Sequence, residues 1–203
     1  SKQAAFLVKQ LKSIAGYTEQ AIQLFTTPPE PDRLVLQILR AMRRHSRAQE
    51  ALFSLRHYIV PVSQYFFEDN GNGQEYLVEK PFKANSDCGL MNIYLNRTEE
   101  DPYWFYVPDQ YQVQKPRPLV IALHGGGGTG RDFIWSWLRE ARSRNFMLLA
   151  PTSIGRTWSF QTEADASKIE TCVQYISTQW RIDSDNILLS GFSDGAIYAL
   201  TCG

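Results

Sequence analysis

The chain has 203 residues, 43% of them apolar, and its 21 Lys and Arg are balanced by 21 Asp and Glu. That length allows one substantial core with a small appendage, while zero formal net charge argues against nucleic acid or an anionic membrane as the main partner. Cys88, Cys172 and Cys202 are odd in number and widely spaced, suiting neither a disulfide framework nor a zinc site; no apolar run reaches the roughly 18 residues of a membrane span, and with no signal-peptide core the expected location is the cytoplasm.

Residues 3–25 place Leu7, Leu11, Ile14, Thr18, Ala21, Ile22 and Phe25 at helical spacing, and Thr26-Thr27-Pro28-Pro29-Glu30-Pro31 ends that helix. A second helix is predicted from about Pro31 to Tyr58. It carries an apolar stripe of Leu34, Val35, Ile38, Leu39, Met42, Ala48, Leu52 and Leu55, with Arg40, Arg43, Arg44 and Arg47 on the wet side. Residues 1–60 therefore read as an antiparallel helical hairpin, either packed on the main domain or joining two copies as a homodimer. His45 and His57 lie on this hairpin as surface histidines.

Residues 61–89 change character and read as a linker or small β-hairpin: Tyr65-Phe66-Phe67 and Tyr76-Leu77-Val78 flank the turn-forming run Glu68-Asp69-Asn70-Gly71-Asn72-Gly73. The main domain is placed at 90–203. It opens with Leu90–Leu95 and Tyr103–Val107, which alternate as antiparallel strands do. From Pro118 the pattern becomes β-α-β: strand Leu119–Leu123, a helix through Phe133–Arg144, strand Phe146–Ala150, a helix over about Ala166–Trp180, and strand Ile187–Leu189. Continuous apolar strands separated by helices predict a doubly wound, mostly parallel sheet covered on both faces.

Two segments carry chemistry. Leu123-His124-Gly125-Gly126-Gly127-Gly128-Thr129-Gly130 follows the first parallel strand. A nucleotide loop is the rival reading, but the run lacks a Gly-Lys-Ser/Thr ending. The preferred reading is a loop whose glycines free main-chain N–H groups to hold a substrate oxyanion. Leu188-Leu189-Ser190-Gly191-Phe192-Ser193-Asp194-Gly195-Ala196 is a strand that turns through Gly-x-Ser-x-Gly straight into a helix. A serine hydroxyl is a weak nucleophile, so it must project from a sharp turn toward a base and oxyanion donors. Gly191 and Gly195 remove the Cβ atoms that would obstruct that turn.

On these two segments the chain resembles the α/β-hydrolase superfamily, specifically serine esterases of the polyhydroxybutyrate-depolymerase-like and phospholipase/carboxylesterase-like groups. The likeness covers roughly residues 100–203. It rests on Pro118–Gly128 and on Arg181-Ile182-Asp183-Ser184-Asp185-Asn186-Ile187 leading into the serine turn. It implies an α/β-hydrolase sheet and a carboxylic ester as substrate, with Ser193 as the acylated nucleophile. Main-chain N–H groups of Gly126, Gly127 and Asp194 would hold the oxyanion. It implies no metal and no organic cofactor.

Trp158, in the loop Pro151–Trp158, is expected to wall the acyl pocket or to fill core. His124 is expected beside the pocket, where it either fixes the glycine loop by hydrogen bonding or serves as the base. The Asp194 carboxylate reads as a helix N-terminal charge. In this fold the triad runs serine, acid, histidine, yet no histidine follows Ser193. The sheet would also end on an open strand. Both points lead to the expectation that base and acid lie beyond Gly203. The alternatives are a non-catalytic binding or scaffold protein of this fold, and a serine peptidase or thioesterase.

Overall fold

The N-terminal apolar spacing is realised as helix α1, Lys2–Thr26, and a short 3-10 turn, Pro31–Arg33, feeds helix α2, Leu34–Phe53. The computed structural model describes residues 2–66, 88–95 and 102–202, and the chain divides into two units, Ser1–Lys83 and Ala84–Gly203. In the first unit α1 and α2 run antiparallel. Gln37, in the first turn of α2, donates through Nε2 to the Leu24 and Thr27 carbonyls at 2.7 and 2.6 Å, satisfying acceptors that the end of α1 leaves open. At the other end Phe6 meets Tyr58 with ring centroids 5.8 Å apart.

The second helix ends earlier than its stripe predicts, at Phe53, and turns replace it through Tyr58. A short helix α3, Val60–Tyr65, follows, with Pro61 in its first turn. This corrects the strand expected at Tyr65-Phe66: proline's fixed φ suits the start of a helix, and Phe66 turns inward, edge-on to Phe53 at 5.0 Å. The rest of the predicted hairpin, including Tyr76-Leu77-Val78, lies outside the described residues.

The second unit is a five-stranded mixed sheet in the order β1-β2-β4-β3-β5. Its strands are β1 (Gly89–Ile93), β2 (Tyr103–Val107), β3 (Arg117–Leu123), β4 (Met147–Ala150) and β5 (Ile182–Gly191). The β1–β2 and β2–β4 pairs are antiparallel, whereas β3–β4 and β3–β5 are parallel. Successive side chains on a strand point to opposite faces, and the strands use both. Phe105, Val107, Leu119, Ile121, Leu123, Met147 and Leu149 form one core with Ile169, Cys172 and Ile176 of helix α6 (Ala164–Gln179) and Tyr198 and Ala199 of helix α7 (Asp194–Cys202). The alternate set, including Trp104, Val120, Leu148 and Ala150, faces helices α4 (Gly130–Phe133) and α5 (Leu138–Arg144). Helices thus cover both faces, giving a doubly wound layout.

Two expectations are revised. The helix predicted through Phe133–Arg144 is broken into α4, a 3-10 turn over Ile134–Ser136, and α5. The tighter winding of that turn shifts the helical phase, so that Ile134, Trp135, Leu138 and Ala141 are all buried. β5 is the open edge that the sequence leads one to expect: among the described residues nothing pairs with its far side, and Ile187 and Leu188 are exposed. β5 nonetheless begins earlier than predicted. Its register slips between the Arg117–Ile182 and Leu119–Ile187 pairs, where Asp183 accepts from the Asp185 N–H and from Asn186 Nδ2.

Among the described residues no helix is long and apolar enough to cross a membrane. Helix α4 docks on the sheet through Gly130, where any Cβ would overlap the Ala150 carbonyl. Gly130→Ala should therefore lower stability by about 3 kcal/mol through overpacking. Thermal unfolding of the variant checks this, and an unchanged midpoint would mean that the contact does not hold α4 in place.

Candidate active site

Ser193 stands where β5 runs out and α7 begins. The last ladder pair is Leu123–Gly191, and the Phe192 N–H adds a further bond to the Leu123 carbonyl at 3.1 Å. The loops after β3 and β5 then leave toward opposite faces, the arrangement that places ligand sites at the carboxyl ends of strands. The turn is tight enough to hold Ser193 at φ 53°, in the left-handed region. An L-residue pays roughly 1–2 kcal/mol to adopt it. Two glycines make the turn possible: a Cβ on Gly191 would collide with the Gly195 main chain, and a Cβ on Gly195 with the Leu123 and His124 carbonyls.

The glycine loop lies directly against this turn, since a Cβ on Gly125 would come within 3.3 Å of both Phe192 O and Ser193 Cβ. The Gly128 N–H closes the loop on the Gly125 carbonyl at 2.9 Å. Gly127 sits at φ 69° and its N–H donates to the Arg156 carbonyl at 2.7 Å. This corrects its expected place among the oxyanion donors, because a donor already engaged by a carbonyl is not free for substrate. Among the described residues neither the Gly126 nor the Asp194 N–H has an acceptor. One belongs to the glycine loop and the other follows the serine directly, at the positive end of α7.

The Asp194 side chain does more than place charge at a helix start. Its Oδ2 accepts from Thr157 Oγ1 at 2.7 Å, and its Oδ1 accepts from Ser193 Oγ at 3.4 Å. A Cβ on Gly126 would come within 2.5 Å of Asp194 Oδ2. The carboxylate therefore occupies the space that a side chain at 126 would take, and it ties the elbow to the loop after β4.

His124 and Trp158 were expected to border a substrate pocket; the structure buries both, leaving 1% and 3% of their surfaces exposed. His124 Nε2 accepts from the Ser153 N–H at 3.0 Å, so its proton is on Nδ1, which donates to the Gly125 carbonyl at 2.7 Å. With both nitrogens engaged the imidazole cannot serve Ser193 as a base. Burial pushes its pKa below the ordinary histidine value, outweighing the upward pull of the Gly125 carbonyl and of Asp165, Asp132 and Asp194. It is a neutral strut. Trp158 donates through Nε1 to the His124 carbonyl at 2.7 Å and packs between the His124 and Tyr198 rings at 4.9 and 5.6 Å.

Three supporting residues escaped the sequence reading: Ser153, Thr157 and Asp165. Buried Asp165 accepts from the Ile154 N–H at 2.8 Å and the Ser159 N–H at 2.9 Å, shaping the loop that carries Thr157 and Trp158. A polar loop before a helix signals a turn, but nothing in its spacing reveals a partner at residue 124 or 194. Among the described residues no group of three His, Cys, Asp or Glu side chains could hold a metal ion.

No family model matches the chain. It is 26% identical to the probable feruloyl esterase C of Aspergillus flavus over 130 residues, 58% of this chain and 48% of that protein. To feruloyl esterase C of Emericella nidulans it is 27% identical over 117 residues, 53% of this chain and 43% of that one. An acetyl xylan esterase structure from Aspergillus awamori superposes with a TM-score of 0.42 at 21% identity, covering 46% of this chain and 38% of that one. The chain spans about half the length of the curated relatives it matches.

The state of His124 sets an acid limit. Its folded pKa lies below the unfolded value of about 6.5, so the unfolded chain binds the proton first. Stability is complete above that value and falls as pH drops through it, by at most about 1.4 kcal/mol per pH unit. His124→Gln, which can accept and donate but does not titrate, should flatten this slope. Denaturant titrations between pH 7.5 and 5 measure it; equal slopes in both proteins would contradict the buried neutral histidine.

Proposed function

We propose that this chain carries the nucleophile and oxyanion hole of a serine hydrolase that cleaves carboxylic esters. The observation that carries the reading is Ser193, held at φ 53° in a turn against which the glycine loop packs, with the N–H groups of Gly126 in that loop and of Asp194 next to the serine both without an acceptor among the described residues. Ser193 Oγ attacks the ester carbonyl carbon and its proton passes to a base. The carbonyl oxygen takes up negative charge as the tetrahedral intermediate forms, and the two N–H groups stabilise it without having to reorganise. Collapse expels the alcohol and leaves an acyl group on Ser193, which water then releases as the acid.

His124 is the second unit's one histidine, and it is fully engaged. The proposal therefore takes the base and its acid partner from outside this unit's described residues. Feruloyl esters are the first substrates to try, because the curated relatives bear that name. Phe192, exposed next to Ser193, offers an aromatic acyl group a surface to lie on. We further propose that two copies associate through the N-terminal helices, a reading supported by the apolar side chains that α1 and α2 leave exposed.

A fluorophosphonate applied to the native protein should add one adduct by intact mass, mapped by peptide sequencing to Ser193. Ser193→Ala should abolish the adduct and reduce hydrolysis of p-nitrophenyl acetate and methyl ferulate by about 10³-fold or more. A folded native protein that takes no adduct would favour a non-catalytic binding role.

A further inference from the structure

Helix α1 carries two apolar seams, and among the described residues only one is packed. Leu7, Gln10, Ile14, Tyr17, Ala21 and Leu24 are partly or fully buried. One residue further along, Val8, Leu11, Ala15, Thr18, Ile22 and Phe25 repeat at intervals of three and four and are all exposed, with the four large apolar side chains 51–59% accessible. A three-four repeat over 18 residues is the a/d pattern by which a helix packs lengthwise against another. In a helix whose one face is already covered, a second such seam is a surface for a further helix.

The partner can be identified from the seam itself. Running outward from its middle, it reads Ala15 and Thr18, then Leu11 and Ile22, then Val8 and Phe25: small at the centre, large at both ends. Laid antiparallel on a copy of itself, it matches Ala15 with Thr18, Leu11 with Ile22 and Val8 with Phe25 throughout, so that large meets large and small meets small. The charges follow the same symmetry. With Val8 at an a position, the flanking e positions hold Lys12 and Glu19, both exposed. An antiparallel pair brings e positions of the two helices together, so Lys12 of each copy would meet Glu19 of the other.

Helix α2 extends the apolar surface. Because it runs opposite to α1, an offset of one residue from the packed seam turns both helices toward the same side, where α2 exposes Val35, Ile38 and Met42.

We propose that α1 is a self-association helix, and that the partner on its exposed seam is α1 of a second copy of this chain, antiparallel, with Lys12–Glu19 pairs on its edge. This rests on the association proposed above and specifies its geometry. It is tested with the intact chain by sedimentation velocity at low salt, where exposed ion pairs are least screened. Lys12→Glu makes every e–e contact in a self-pair Glu against Glu, and Glu19→Lys makes every one Lys against Lys. Each variant alone should therefore self-associate about tenfold more weakly than wild type. An equimolar mixture of the two should pair at least as tightly as wild type, because each Glu then faces a Lys. Both sites are exposed, so circular dichroism should show unchanged helix content. A monomeric wild-type chain would overturn the association itself. A dimer indifferent to both substitutions, or variants that stay weak when mixed, would overturn the antiparallel α1 pairing while leaving association through another surface, such as α1 on α2, in place.

Discussion

Everything at the site depends on how closely β3 and β5 lie at their carboxyl ends. Parallel pairing continues to Leu123–Gly191 and one main-chain bond further, so two loops that depart toward opposite faces start within a few ångströms of each other. Two backbone contacts in this space exclude a side chain, Gly191 on Gly195 and Gly195 on the Leu123 and His124 carbonyls, and the Asp194 carboxylate fills the space beside Gly126. The left-handed serine is a consequence of that approach. The strand must reverse into a helix with no room to do so gradually, and the strain is borne by the residue whose hydroxyl has to stand clear of the backbone.

Around this contact the protein has built rigidity rather than reactivity. His124 and Trp158 are the residue types that suggest proton transfer and aromatic recognition, yet both are buried as braces. The imidazole joins the Ser153 N–H to the Gly125 carbonyl, and the indole anchors the His124 carbonyl against the α7 aromatic Tyr198. Desolvation keeps the imidazole neutral, and that is the state in which one nitrogen can accept while the other donates. Asp165 and the Thr157–Asp194 bond extend the bracing to the loop after β4. Preorganised donors are effective only if they do not move when charge develops, and these bonds hold the elements that carry the donors we propose.

The two units follow different logic. The sheet unit buries apolar residues on both faces and leaves Ile187 and Leu188 exposed along its β5 edge. The helical unit is two-sided: one seam of α1 packs inside the unit and its neighbour does not. Leaving apolar side chains at regular spacing on a helix in water costs free energy, and a copy of the same helix is the partner we propose for a second seam matched to itself in size and charge.

Much of this was determined by the sequence alone, because its signals are local. Three-four spacing over residues 3–25 specifies a helix, apolar runs after Pro118 specify buried strands, and Gly-x-Ser-x-Gly between a strand and a helix specifies the turn at Ser193 whatever surrounds it. The doubly wound order follows from those elements and the handedness of their connections. Only tertiary structure decided which glycine N–H groups remain available, because the Arg156 carbonyl lies against the N–H of Gly127 and not against that of Gly126. The same holds for His124, whose role depends on a Ser153 N–H 29 residues away, and for Asp194, whose carboxylate meets Thr157 across 37 residues. Periodicity and turn chemistry act over a few residues and can be read along the chain; hydrogen-bond partners are assigned by contacts between distant segments, and those exist only once the sheet has brought the segments together.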